Sequence, residues 1–310
     1  MNQRKFYILG LGVLRMRNYF KYLPLVIVSL SFIYSTQAYS TMTLPTFSPK
    51  TLEGQRAKNE NTLLPDYTFI SFYKPNYVLP YYYTGSPYKS VYVGTTPYNE
   101  QIQHSEIKFQ LSFKVPLFKN IFNHKTNLMF AYTQLSYWQL YNQRSFIRST
   151  DYEPEFFFAN TINYHLHKDW YINYLNLGYV HQSNGMGNSL QRGWDRLYLE
   201  AIASTSNWML SLKPWIILDR NSNNSNIGFY MGYAKFLAAY KIHQNVIAVE
   251  AYNVVESGLK RPSAQLTWSF PISHYFKGYV QVFSGYGQSL IEFNHHTNSA
   301  GIGLALNDWA

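Results

Sequence analysis

The chain has 310 residues, of which 46% are apolar, 19% are aromatic and only 14% are charged. It contains no cysteine, which excludes disulfide bonds and thiolate metal sites. The formal net charge of +10 favours a partner that carries anionic phosphate; because the sequence has no Lys/Arg-rich block and no RNA-binding motif, a lipid surface is favoured over nucleic acid.

Residues 1–38 carry the pattern of a secretory signal peptide, with Met16 as a second candidate start. Arg17 and Lys21 precede an apolar run that is short for a membrane span, and small residues lead to Ala38. This layout predicts export and cleavage after Ala38; an uncleaved anchor helix is the alternative. Residues 39–66 show no clear pattern, and we expect them to form a periplasmic extension.

From residue 67 onward, apolar and polar side chains alternate. Between His104 and Phe118, the odd positions from Ile107 to Leu117 are apolar and the even positions are mostly polar. Successive side chains of a strand point to opposite sides of a sheet, so each such run predicts a strand with one apolar face. Twelve runs of this kind lie near residues 75–85, 104–118, 125–140, 152–166, 169–183, 193–205, 207–218, 227–241, 244–254, 259–271, 274–286 and 289–309.

The connections between these runs alternate in length. Those after even-numbered runs are mostly tight, whereas several after odd-numbered runs are long. Together with the abundance of Tyr and Trp, this predicts an all-β fold over residues 67–310, a twelve-stranded antiparallel transmembrane β-barrel in the outer membrane of a Gram-negative bacterium. The alternative is a secreted soluble β-sandwich, which the length of the runs and the charged residues of the polar face disfavour.

The stretch Tyr179–Ala201, YVHQSNGMGNSLQRGWDRLYLEA, spans the connection between the fifth and sixth runs. A hairpin register centred on Asn188 places His181 opposite Asp195, and Ser183 points to the same side because it lies two residues from His181. That side is otherwise apolar. The three polar side chains are therefore predicted on the lipid-facing wall, beside a loop at the outer leaflet.

This group of side chains is the one that nucleophilic hydrolysis requires. An imidazole takes the proton of a serine hydroxyl, and a carboxylate on the other ring nitrogen fixes the tautomer of the imidazole. Gly185 can turn its backbone N–H toward a developing oxyanion. The alternative is a polar turn without chemistry, since a His-x-Ser pair recurs by chance in many chains.

Two elements of this hairpin, HQSNG and RGWDRLY, resemble the catalytic segment of the outer-membrane phospholipase A family. The resemblance covers nearly all of residues 68–309, through EIKFQLSFKVPLF, YTQLSYWQLYN, TDYEPEFFF, NWMLSLKPW, YMGY, YVQVFSGYGQSLIEFN and IGLALND. It implies a calcium-dependent barrel that hydrolyses acyl esters of phospholipids and lysophospholipids and is active as a homodimer in the membrane.

The resemblance also implies roles for single residues. Ser183 corresponds to the nucleophile, His181 to the general base and acid, and Gly185 to a donor of the oxyanion hole. Asp195 stands where the best-known members have asparagine, and it can still orient His181 and hold an imidazolium.

A calcium site is implied by the same resemblance. Its ligands correspond to the carbonyl of Met186, to Gln191, to Asn223 and, from the dimer partner, to Arg144 with Ser145 beside it as the oxygen donor. The family pattern has arginine, serine and aspartate at the first three of these positions. The differences predict weaker calcium binding or a shifted ligand set.

Gln134 corresponds to a membrane-embedded glutamine that pairs across the dimer in this family. A polar side chain in lipid favours a hydrogen-bonding partner; the alternative is that Gln134 faces the lumen and bonds internally. For the whole protein, the alternative to a phospholipase is a catalytically silent outer-membrane barrel, either a pore or a structural protein. Such a barrel has no need of a serine, a histidine and a carboxylate on its lipid-facing wall.

Overall fold

In a computed structural model, the chain is described for residues 51–56, 70–122 and 125–310. The predicted signal peptide and most of the 39–66 segment lie outside these residues. Within the described ranges, no helix combines the length and the apolar character needed to cross a membrane.

The fold is a closed antiparallel barrel of twelve β-strands, which confirms the predicted fold class. The strands are β1 Tyr77–Thr84, β2 Ser105–Ile121, β3 Thr126–Gln139, β4 Phe146–His167, β5 Trp170–Ser183, β6 Gly193–Ser204, β7 Trp208–Arg220, β8 Ala234–Ile242, β9 Asn245–Tyr252, β10 Ser263–Pro271, β11 Lys277–Tyr286 and β12 His296–Ala305. Each strand pairs with its neighbours in the chain, and β12 pairs with β1 to close the barrel. Ser71–Phe72 adds a short pairing to β2 ahead of β1.

The two faces of the strands are separated as the alternation predicts. Leu111, Leu199 and Ile216 point outward, with 53%, 57% and 58% of their surface exposed. Glu106 and Lys108 point into the lumen and are 1% and 2% exposed. An apolar wall around a polar interior is the arrangement of a membrane barrel, because the surroundings of the wall are lipid.

Ion pairs and hydrogen bonds occupy the lumen together with buried aromatic side chains. Arg148 lies between Glu106 and Glu292, with nitrogen–oxygen distances of 2.8 and 2.9 Å. Lys213 pairs with Glu155 at 2.7 Å. Charges are tolerated in an interior when they are paired in this way, so the lumen is a packed polar core.

Four strands begin at least three residues later than the alternation predicts, at Ala234, Ser263, Lys277 and His296, and β4 begins six residues earlier, at Phe146. Within 227–241, Ile227–Met231 is a short helix, and within 289–309, Leu290–Glu292 is a 3-10 turn. The first apolar residue of each segment, Ile227 and Leu290, is buried in one cluster with the lumen-facing Trp194 and Trp215. Burying these apolar residues in the cluster therefore stabilises the structure more than extending the two strands would.

The connections distinguish two ends of the barrel. We call the end with the short connections after even-numbered strands the tight-turn end, and the other the long-loop end. Residues 51–56 lie at the tight-turn end, where Leu52 is fully buried in a cluster with Trp309 and its N–H donates to the carbonyl of Thr205 at 2.6 Å. That residues 39–66 form a periplasmic extension stays a prediction.

Candidate active site

The β5–β6 hairpin has the register that the sequence predicts. His181 pairs with Asp195, and Ser183 pairs with Gly193. Nδ1 of His181 lies 2.6 Å from Oδ1 of Asp195. A neutral imidazole that donates its Nδ1 proton to this carboxylate has Nε2 free to accept another proton.

The pair lies on the outward wall, near the long-loop end. The side chains of His181 and Asp195 are 43% and 23% exposed, and Tyr179 and Leu197 point outward on the same face. The hydroxyl of Tyr179 lies near enough to the Asp195 carboxylate to interact with it. This contact was not foreseen from the sequence, because it joins diagonal neighbours of the hairpin rather than a directly opposed pair.

The loop that connects β5 to β6 is held by its own hydrogen bonds. The buried side chain of Asn184 accepts from the N–H of Arg192 at 2.9 Å and donates to the carbonyl of Leu190 at 2.7 Å. Gly185 has a φ of +63°, and a Cβ at this position would lie 2.8 Å from Cε2 of Tyr152. Both the backbone angle and the close ring favour glycine here.

A cavity of ≈ 580 Å³ connects these groups. Its lining residues are His181, Ser183, Gly185, Met186, Gln191, Arg192, Gly193, Trp194, Asp195, Asp219, Arg220, Asn221 and Ser222. In the described part of the chain, no hydrogen bond joins Ser183 to His181; such contacts commonly tighten only when a substrate binds. A hydroxyl, an oriented imidazole and a loop N–H around one cavity form the set that acyl transfer uses.

The residues predicted as calcium ligands are only partly brought together. Met186 and Gln191 line the cavity. Asn223 lies beside it and donates from its side-chain amide to the carbonyls of Asn188 and Gln191, at 2.8 and 3.3 Å. Among the residues that the structure describes, no three His, Cys, Asp or Glu side chains are grouped so that they could hold a metal ion.

Arg144 and Ser145 lie in the β3–β4 connection and do not line this cavity. The guanidinium of Arg144 stacks on the ring of Tyr98, 3.9 Å from its centroid.

Asp219 is an acidic residue of the cavity that the sequence did not reveal. It lies opposite Asp195 across β6 and β7. A β-bulge between Asp195 and Arg196 shifts the register of this hairpin by one residue. A register counted from the β6–β7 turn without this bulge would wrongly pair Asp195 with Leu218 instead of Asp219.

Gln134 lies on the outward wall. The strand register forms one row across β2 to β5, consisting of Leu111, Gln134, Tyr152 and Ser183. Directly opposed residues of antiparallel strands share a face, and Leu111 points outward, so Gln134 does as well. Its amide contacts Tyr132 and Ser136 of the same strand, at 3.1 and 3.3 Å.

Comparison with known proteins shows the relatives of the chain. A sequence model of the phospholipase A1 family matches residues 54–306. The phospholipase A1 of Proteus vulgaris is 35% identical over 256 residues, which cover 82% of this chain and 84% of that protein. Outer membrane phospholipase A from Escherichia coli superposes with a TM-score of 0.75 at 33% identity, over 81% of this chain and 96% of that one. The Salmonella typhi outer membrane phospholipase, a dimer with bound calcium, also superposes with a TM-score of 0.75 at 33% identity, over 80% of this chain and 96% of that one.

Proposed function

Because the chain belongs to the phospholipase A1 family, we propose that Ser183, His181 and Asp195 hydrolyse acyl esters of phospholipids and lysophospholipids at the outer wall of the barrel. Family membership makes the protein a phospholipase in the outer membrane of a Gram-negative bacterium. The observation that carries the assignment of residues is the 2.6 Å contact between His181 and Asp195, on a wall that is otherwise apolar.

The reaction begins with attack by Ser183. His181 Nε2 removes the hydroxyl proton as Oγ bonds to the ester carbonyl carbon, and the Asp195 carboxylate stabilises the imidazolium. The N–H of Gly185 donates to the oxyanion. As the intermediate collapses, the bond from carbon to the glycerol oxygen breaks and His181 gives its proton to that oxygen. In the second half of the reaction, His181 removes a proton from a water molecule that attacks the acyl-serine carbonyl carbon. As the bond from this carbon to Oγ of Ser183 breaks and the fatty acid leaves, His181 returns the proton to Oγ.

The position of the site suits a substrate that remains in the membrane. The ester groups of a phospholipid lie at the border between headgroups and hydrocarbon, and Ser183 ends its strand beside the long loops. Tyr179 and Leu197 on the same face are 39% and 38% exposed, and they offer an acyl chain an apolar surface along the wall. The lipid therefore reaches Ser183 by lateral movement within the leaflet.

We propose that calcium binds in the same cavity. The carbonyl of Met186 and the side chains of Gln191 and Asp219 are the oxygen donors that would hold it, with Ser145 of a second copy completing the set. Carbonyl and carboxylate oxygens are the ligands that calcium prefers, so the donor chemistry fits. A bound cation would add positive charge near the developing oxyanion. Asn223, through its bonds to the loop carbonyls, fixes the segment that carries Gln191.

We also propose that the protein is active as a homodimer whose contact includes Gln134. Neighbouring strands of a sheet lie about 4.8 Å apart, which puts Gln134 roughly 10 Å along the row from Ser183. A second copy docked over Gln134 therefore forms a wall of the catalytic cavity. Gln134→Ala removes the amide from this contact and should lower the yield of cross-linked dimer in membranes. An unchanged yield would reject the contact.

The test of the proposed function is phospholipid hydrolysis by refolded protein in detergent micelles, with calcium or with a chelator. Ser183→Ala should lower kcat by at least about 10³-fold, whereas Ser189→Ala, in the same loop but exposed, should not. Activity that survives in Ser183→Ala would overturn the nucleophile, and full activity in the chelator would overturn the calcium site. A well-folded but inactive wild type would favour the silent barrel.

A further inference from the structure

A second cavity lies at the tight-turn end, opposite to the catalytic one along the barrel. It has a volume of ≈ 300 Å³ and lies between the β8–β9 turn, the β10–β11 turn and the residue after β12. Its lining includes Lys241, His274, Phe276, Lys277 and Leu306. None of these residues takes part in the proposed hydrolysis.

The cavity has an excess of positive charge. Lys277 Nζ lies 2.6 Å from Oδ2 of Asp308, whose carboxylate is buried and also accepts hydrogen bonds from the Ser269 hydroxyl and the Ala310 N–H. Lys241 lies close enough to Lys277 and Asp308 to interact with both electrostatically. Two ammonium groups thus lie near one carboxylate, and only Lys277 is paired with it.

Lys241 is the cation left over in this arrangement. Within the described residues, its ammonium has no hydrogen bond and no ion pair of its own. A half-buried ammonium beside a second cation gains from an anion, because the anion relieves the repulsion between the two like charges. His274 adds a further hydrogen-bond donor to the rim of the cavity.

The opposite side of the cavity is apolar and continuous with the lipid-facing wall. Phe276 and Leu306 are 45% and 49% exposed, and Ile272, whose N–H donates to the carbonyl of Phe276, is 58% exposed. The β10–β11 turn that carries Phe276 is held by its own bonds, since the Ser273 hydroxyl accepts from the N–H groups of Tyr275 and Phe276, at 3.3 and 3.1 Å. A fixed site with cations on one side and lipid-facing apolar groups on the other matches an amphiphile with an anionic head.

We propose that this cavity binds the phosphate headgroup of an anionic phospholipid without hydrolysing it. Lys241 contacts the phosphate, and the acyl chains run along Phe276 and Leu306. The short turns of outer-membrane barrels face the periplasm, so the lipid belongs to the periplasmic leaflet. The protein thus holds one phospholipid at this end while it cleaves others at the far end.

Native mass spectrometry of the full-length protein in detergent micelles tests this site. The probe is an ether-linked phosphatidylglycerol, which has no acyl ester to cleave, compared with an ether-linked phosphatidylcholine of the same chains and with inorganic phosphate. We expect the phosphatidylglycerol to bind more tightly than the phosphatidylcholine, and Lys241→Gln to weaken its binding about tenfold, the effect of losing one charge-assisted contact. Lys260→Gln, an exposed lysine at the long-loop end, is the matched control and should bind as wild type does.

Hydrolysis of ordinary phospholipid by Lys241→Gln should equal that of wild type, which shows that the variant is folded. Equal affinity for the two headgroups, or equal binding by Lys241→Gln and wild type, would overturn the proposal. Displacement of the lipid by millimolar inorganic phosphate would also overturn it, because the site would then hold a free anion. These outcomes do not depend on whether Ser183 is the nucleophile, since the probe lipids are not substrates.

Discussion

Replacing Gly185 by alanine tests the oxyanion role through one added carbon atom. The residue has a φ of +63°, where an L-side chain costs about 1–2 kcal/mol. The new Cβ would also lie 2.8 Å from Cε2 of Tyr152, a distance that forces the ring or the loop to shift. The preceding residue, Asn184, is anchored by three hydrogen bonds of its side chain. The displacement therefore falls on the N–H of residue 185.

The loss of one oxyanion donor lowers kcat about 10²–10³-fold in hydrolases of this type. We expect Gly185→Ala to fall in that range when hydrolysis of a lysophospholipid is measured in detergent micelles above KM. The barrel itself should stay folded, since the loop contributes nothing to the strand pairings. Heat-dependent mobility on a denaturing gel separates a folded, impaired enzyme from an unfolded one.

Gly187→Ala is the matched control. It lies two residues further along the same loop, has a φ of −109°, and a Cβ there meets no heavy atom within 4 Å. Its activity should stay within about twofold of wild type, as expected for an exposed site without such features. Full activity in Gly185→Ala, or an equal loss in both variants, would refute the oxyanion assignment.

Three further predictions concern other parts of the molecule. Tyr179→Phe removes the hydroxyl that lies near the Asp195 carboxylate but keeps the ring, so kcat should fall about threefold to tenfold with KM unchanged; steady-state kinetics with an unaltered kcat would contradict this. Asp219→Asn should weaken calcium binding at least about tenfold in calorimetric titration while Asn223→Ala, which removes no charge, has a smaller effect; a reversed order would contradict the proposed ligand set. Arg148→Ala leaves two buried glutamates without their ion-pair partner and should lower the free energy of unfolding by about 3–5 kcal/mol in a urea titration. A loss below about 1 kcal/mol, the range of an exposed ion pair, would contradict a stabilising role for these pairs.

The barrel and its principal hairpin could be predicted because both depend on a period of two. Alternation identifies a strand wherever one face meets lipid and the other meets a polar interior, as in β2 and β6. The register of the β5–β6 hairpin follows from its turn, since no bulge interrupts the pairing from Leu175 to Ser183. The sequence therefore predicts the pairing of His181 with Asp195 that the structure has.

The features that the sequence concealed are those that break this period. The helix Ile227–Met231 contains apolar residues at spacings that also fit a strand, and only its burial at the end of the lumen distinguishes it. Asp219 is hidden by the β-bulge after Asp195, which moves it by one position. Tyr179 shows its outward direction in the sequence, but the reach of its hydroxyl to Asp195 depends on a rotamer that a pattern does not encode.

The placement of the polar network inside the barrel and of the proposed catalytic group outside it has an evolutionary consequence. Selection for folding acts on the lumen, where Arg148 and its two glutamates lie, while selection for turnover acts on a few outward positions around Ser183. The two sets of residues lie on opposite faces of the strands, so we expect each to change while the other is preserved. With Ser183 as the proposed nucleophile, we expect a lineage that no longer needs the activity to lose it by a single substitution there and to keep the barrel. Conversely, the outer wall can acquire new substrate preferences without a cost to assembly.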